Sequence, residues 1–194
     1  MITLNSDAAS TSLSKTTKAI LNEYGIKLNK NLGQNYLIDR NKRDQIIQFG
    51  NLTKDDVVLE IGPGIGTLTI ELAKRVKKVI AIEQDSNICQ ILENRLKKEN
   101  IDNVELINDD ALNVEFPKFD KIISNLPYQI SSPITFKFLN YDFQLAILMY
   151  QKEFASRMNG KVGSKDYSRL SAMLYFKCDV DLLTGQKWIL LLSD

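Results

Sequence analysis

Asn125, Leu126, Pro127 and Tyr128 form a tetrapeptide whose groups can grip a flat amine. Asn125 offers a side-chain carbonyl. Pro127 lacks an N–H and biases the residue before it toward an extended backbone, which can turn the Leu126 carbonyl the same way. Two acceptors then converge on one point, and Tyr128 adds a flat face beside them. An exocyclic amine on adenine donates its lone pair into the ring and is a poor nucleophile. Two acceptors on its hydrogens can hold it with that lone pair aimed at an electrophile, while a tyrosine stacks on a base taken out of its helix. Asn and Pro are also ordinary turn residues, so the tetrapeptide gains this meaning from what surrounds it.

A second group of residues suits a nucleoside-like ligand. Val57-Val58-Leu59-Glu60-Ile61 reads as a buried strand, Gly62-Pro63-Gly64-Ile65-Gly66 follows directly, and a helix begins near Thr67 with Leu68, Leu72 and Val76 at helical spacing. Strand, glycine turn and helix open a nucleotide-binding βαβ unit, where small residues such as Gly62 and Gly64 let the backbone approach a ligand. Thr67 stands where a dinucleotide fingerprint has its last glycine, which argues for a ligand with a smaller charged group than a pyrophosphate. Val79-Ile80-Ala81-Ile82 then delivers Glu83, 21 positions after Gly62 and suited to grip two ribose hydroxyls. Val104-Glu105-Leu106-Ile107 leads to Asn108-Asp109-Asp110-Ala111. There the Asp110 carboxylate can accept from an adenine amine and the Ala111 N–H can donate to a ring nitrogen, with Asp109 left to solvent or a local cap. Gln34 and Asn35, in the polar loop 31–37, can fold over a ligand as a lid or serve as connectors.

These residues need strands that end together. Lys121-Ile122-Ile123-Ser124 is the apolar run that Asn125 closes, so the tetrapeptide sits at a strand's carboxyl end, where ligands bind in an open α/β sheet. The alternation of such runs with helical stretches predicts an α/β fold, Rossmann-like, with a mostly parallel central sheet and helices on both faces. The stretch 87–98 reads as a helix burying Ile88, Ile91, Leu92 and Leu96, and 145–150 as a fifth strand. The stretch 132–139 is helical, with Ser131 or Ser132 as N-cap and Pro133 at its first position. Helices are expected near 151–158 and 167–172, and strands at Leu174-Tyr175-Phe176 and 188–192. Residues 1–14, rich in Ser, Thr and Asn, are assigned to a disordered tail, and 15–24 to a short helix.

At 194 residues and 44% hydrophobic, the chain can bury one sizeable core, and a single domain over 15–194 is expected. No apolar run nears a membrane span and no signal peptide opens the chain, which predicts a soluble, cytoplasmic protein with no membrane partner. Cys89 and Cys178 lack CxxC spacing and histidine is absent, so neither a disulfide framework nor a metal site is expected, and imidazole chemistry is excluded. The net charge of +1 conceals an asymmetry: residues 1–43 carry seven Lys/Arg against three Asp/Glu, 44–149 carry eleven against sixteen, and 150–193 carry seven against four. Basic ends can hold a polyanion while an acidic middle holds a cationic cofactor, although such charges also serve as plain solvated surface.

Taken together, 31–39, 60–66 with Glu83, 108–112 and 125–133 resemble the ribosomal RNA adenine dimethyltransferases of the small-subunit branch. Tyr150-Gln151-Lys152-Glu153-Phe154-Ala155 and Lys165-Asp166-Tyr167-Ser168-Arg169-Leu170-Ser171 look most like its archaeal and eukaryotic members. The resemblance implies an S-adenosylmethionine-dependent methyltransferase fold, and Asn35, Leu37, Gly62, Glu83, Asp110 and Asn125 match the family's cofactor-contacting positions. It also implies a target-adenine clamp at 125–128 and two successive methyl transfers to the exocyclic amines of adjacent adenines in small-subunit ribosomal RNA, as part of rRNA processing and ribosome biogenesis. Leu126 and the Tyr150 and Lys165 segments point away from the related macrolide-resistance enzymes of the large subunit. The expected chemistry is an in-line attack of the amine on a sulfonium methyl, with no metal, by a monomer that recognises the small ribosomal subunit. One departure stands out: after Thr184 the family's Pro- and Lys-containing motif and C-terminal helical domain are not found. This keeps two alternatives open, a ribosome-assembly or RNA-binding factor with little turnover, and a methyltransferase acting on DNA adenine or a protein glutamine.

Overall fold

The computed structural model describes residues 6–25, 37, 39–183 and 188–193. Its strands are β1 (Val57–Ile61), β2 (Lys78–Glu83), β3 (Val104–Asn108), β4 (Lys121–Asn125), β5 (Leu145–Met149), β6 (Cys178–Leu183) and β7 (Trp188–Ser193). They form one seven-stranded sheet in the order β3-β2-β1-β4-β5-β7-β6. β1 to β5 run parallel, while β7 pairs antiparallel with both neighbours. The helices are α1 (Ser6–Glu23), α2 (Arg40–Phe49), α3 (Thr69–Ala73), α4 (Ser86–Lys98), α5 (Ser131–Phe138), α6 (Lys152–Met158) and α7 (Arg169–Tyr175).

The central strands read as unbroken apolar runs because both faces of the sheet are covered. Successive side chains still go to opposite layers. Leu59, Ile61, Ile80, Ile82 and Ile122 pack with Phe138 and Tyr150 on one side, whereas Val58, Val79, Ala81, Ile123 and Ile147 pack with Ile46 and Leu72 on the other. Burying each large aliphatic side chain contributes about 1.5–3 kcal/mol, so the strands that carry the site are the best-anchored part of the chain. β1 lies between β2 and β4, and chain order reverses there.

Three local expectations give way. α1 begins at Ser6, so residues 6–14, assigned to a tail, are helical. The Ser and Thr residues there cost only a few tenths of a kcal/mol each in a helix, and Leu21 anchors its far end against Ile65 and Ile88. α5 begins at Ser131 behind a short turn at Tyr128–Ile130, with Ile130 as N-cap, which makes Pro133 its third residue. Proline is tolerated there because first-turn N–H groups have no intrahelical acceptor. The run Leu174-Tyr175-Phe176 is not a strand: Leu170 and Leu174 fall on one buried stripe of α7, and at its start the Ser171 hydroxyl accepts from the Ser168 N–H and donates to the Ser168 carbonyl. The strand begins at Cys178 instead.

Candidate active site

A cavity of about 280 Å³ opens at the carboxyl ends of β1 and β4, where the strand order reverses. Gly62 and Gly64 follow β1 into it, Glu83 ends β2, Asp110 and Ala111 follow β3, and Asn125 ends β4. Leu37, 7% exposed, joins the wall. Seven sequence-derived positions, six at or just after strand ends and Leu37 shortly before α2, therefore meet at one place. Gln34 and Asn35 lie outside the described residues. Pro127 lines the cavity, but Leu126 and Tyr128 are not among its lining residues. The Leu126 side chain, 1% exposed, is locked in the core, so it is through its backbone that this residue can serve the site. Tyr128 is half-buried, and burial raises its phenol pKa.

The glycine turn and the tetrapeptide are in contact. Gly62 has φ +68°, and a Cβ added there would meet Pro127 Cγ at 2.9 Å. Gly64, φ +55°, turns its N–H onto Glu83 Oε2 at 3.2 Å, and Asp85 N–H donates to Oε1 at 3.0 Å. Burial raises the Glu83 pKa despite these two donors. Backbone pairing between β1 and β4 is registered at Val58 with Lys121 and Leu59 with Ile122. Closer to the cavity the Ser124 hydroxyl oxygen takes the Ile61 N–H instead, at 2.7 Å in the core.

The turn after β3 is organised by its own carboxylates. Asp109 Oδ1 accepts from Asp110 N–H at 2.7 Å, as a local cap, and Asp110 Oδ1 accepts from Leu112 N–H at 2.9 Å. The Asp110 carbonyl takes the N–H groups of Asn113 and Val114. Asp109 is exposed yet also reaches the cavity wall.

Glu60 is the functional group that sequence reasoning missed. It is 2% exposed and lines the cavity. Among the described residues neither Glu60 Oε2 nor the neighbouring Thr69 hydroxyl has a hydrogen-bond partner. Burial pushes the Glu60 carboxyl up to about 8 and the Glu83 charge adds to it, while the Thr69 hydroxyl, near but outside hydrogen-bond geometry, offsets this only in part. A buried carboxylate without a cation, facing a cavity, fits a positively charged ligand. Its signal in the sequence was a lone acid inside an apolar strand, two residues before the glycine turn.

Residues 25–185 match the family described as ribosomal RNA adenine dimethylase. A probable ribosomal RNA small subunit methyltransferase A from Methanothermobacter thermautotrophicus is 54% identical over 167 residues, covering 86% of this chain and 60% of the relative. A dimethyladenosine transferase from Plasmodium falciparum superposes with TM-score 0.75 at 36% identity, covering 80% of this chain and 62% of that one. The 23S rRNA methyltransferase ErmE superposes with TM-score 0.72 at 28% identity, covering 82% and 70%. The chain spans about 60% of the length of the curated relatives it matches. Among the described residues no helix is long and apolar enough to cross a membrane.

Proposed function

The chain belongs to the ribosomal RNA adenine dimethylase family, and on that premise we propose that it methylates the exocyclic amines of adjacent adenines in small-subunit ribosomal RNA. S-adenosylmethionine, when bound, supplies a methyl group activated on a positively charged sulfur. The residues present fit such a cofactor. Glu60 offers a buried carboxyl to its positive charge, and among the described residues its Oε2 has no hydrogen-bond partner. Glu83 oxygens each retain a lone pair for ribose hydroxyls beyond the N–H groups they already accept. Asp110 and Ala111 suit the adenine edge.

Asn125 and the Leu126 carbonyl then hold the target amine, and their dipoles stabilise positive charge growing on its nitrogen. The proton can leave to water, so no histidine is needed. The observation that carries this reading is the placement of Asn125 on the same cavity as Gly62, Glu83 and Asp110. Asn125→Ala should cut methyl transfer to small ribosomal subunits by roughly a hundredfold or more, far more than it lowers S-adenosylmethionine affinity. Equal losses in both would contradict the clamp. A wild-type chain that binds the particles and transfers nothing would recast it as an RNA-binding assembly factor.

A further inference from the structure

Lys137 sits on α5, the helix that starts just after the tetrapeptide, yet its ammonium reaches across to the other half of the site. Nζ donates to the carbonyls of Ala111 at 2.9 Å, Leu112 at 3.1 Å and Val114. Three N–H groups meet three carbonyls, which fills the ammonium's donor capacity. The same nitrogen lies 4.5 Å from the centre of the Phe116 ring. The segment it binds is the turn that begins with Asp110, whose carboxylate also interacts with the Lys137 charge. Three carbonyls aimed at one point repel one another without a cation between them, so the shape of this turn depends on Lys137.

We propose that Lys137 is the positioning residue of the adenine-reading turn: from α5 it fixes where Asp110 and the Ala111 N–H stand, and it ties that turn to the amine clamp at the head of its own helix. Lys137 touches neither cofactor nor target on this account. The proposal rests on the reading that the cofactor's base lies against Asp110 and Ala111, and it adds a prediction that reading lacks. Base selectivity is set from a residue 26 positions away, on the helix that carries the other substrate.

The test compares binding of S-adenosylhomocysteine with its inosine counterpart, in which an exocyclic carbonyl oxygen replaces the adenine amine and the adjacent ring nitrogen carries a hydrogen. Facing Asp110, that oxygen meets a carboxylate, so the wild-type protein should prefer the adenine form by at least about tenfold. Lys137→Met should bring the preference to within about twofold, and Lys137→Arg, which keeps cationic donors, should restore most of it. Lys137→Gln reads the same ratio with a neutral donor should the methionine variant fail to fold. A lysine that merely stabilises the fold would lower the melting temperature and leave the ratio alone; a folded variant that keeps the tenfold preference overturns the proposal. A wild-type protein without any preference overturns the base-site reading itself, a separate result.

Discussion

Two carboxylates four residues apart on the same stretch of chain, Asp56 at the entry to β1 and Glu60 near its exit, are both shielded from water, at 7% and 2% exposure. Asp56 accepts from Lys121 Nζ at 2.9 Å and from Thr53 N–H at 2.6 Å, and Lys121 completes its bonding on the Asn51 carbonyl at 2.8 Å. Burial alone would raise the Asp56 pKa; the Thr53 N–H and the Lys121 charge outweigh it and hold the carboxyl below its ordinary value. Among the described residues Glu60 faces no such cation, and it is pushed up to about 8. At the amino ends of β1 and β4 the fold satisfies its own polar groups. At the carboxyl ends it leaves one for a ligand to satisfy.

The closed end gives the largest expected effect. Lys121→Met strands Asp56 as a buried charge and should lower stability by about 3–5 kcal/mol, read from the chemical denaturation midpoint. The double variant Asp56→Leu with Lys121→Met should recover most of that loss, because two apolar groups of similar size need no partner. Cofactor affinity of the folded fraction should not move. A cost below about 1 kcal/mol, the ordinary worth of an exposed pair, would mean the two ends do not differ in the way described.

The open end is sharpened by a pair of glycines. Gly62→Ala places a side chain at positive φ, at about 1–2 kcal/mol, and drives its Cβ into Pro127. Displacing the clamp by a fraction of an ångström should slow methyl transfer roughly tenfold to a hundredfold. Gly163→Ala carries similar strain at φ +82° with nothing within 4 Å, so it should cost comparable stability and leave the rate unchanged. Equal rates for the two variants would break the link between glycine turn and clamp.

Groups that were legible in the sequence are those whose role is written in local order. The apolar runs became strands because both faces are buried, and Gly62, Glu83, Asp110 and Asn125 could be located because each closes or follows such a run. What was hidden depends on tertiary neighbours. Glu60 looked like one more strand residue, since nothing local says whether a cation waits across the sheet as Lys121 does for Asp56. Lys137 carried no local signal, since only the packing of α5 brings it to the carbonyls of Ala111, Leu112 and Val114. Tyr128 reads from the sequence as a stacking face, whereas its position outside the cavity wall is set by the turn at Tyr128–Ile130. Leu174-Tyr175-Phe176 was too short a run to separate period two from period 3.6.

The smallest effect concerns Glu60 and gives the contrast its sign. In the ligand-free protein Glu60 keeps its proton until about pH 8, and a positively charged cofactor favours the ionised form. S-adenosylmethionine affinity should therefore climb with pH and level off above about 8; at pH 7 the protonation costs about 1.4 kcal/mol, a factor of ten. Glu60→Gln removes that component. Calorimetry at pH 6.5 in buffers of differing ionisation heat should find about one more proton released on binding by the wild type than by the variant. Stability carries the same signature without ligand. Because the folded value lies above the unfolded 4.5, the folded state holds a proton that the unfolded chain gives up, so Glu60's contribution is whole at low pH and is lost as pH rises through about 8. Glu60→Gln should accordingly gain on the wild type from about pH 4.5 upward, with the difference in melting temperature levelling off above about 8. Matching proton counts for the two proteins would show that Glu60, like Asp56, already has its cation within the fold.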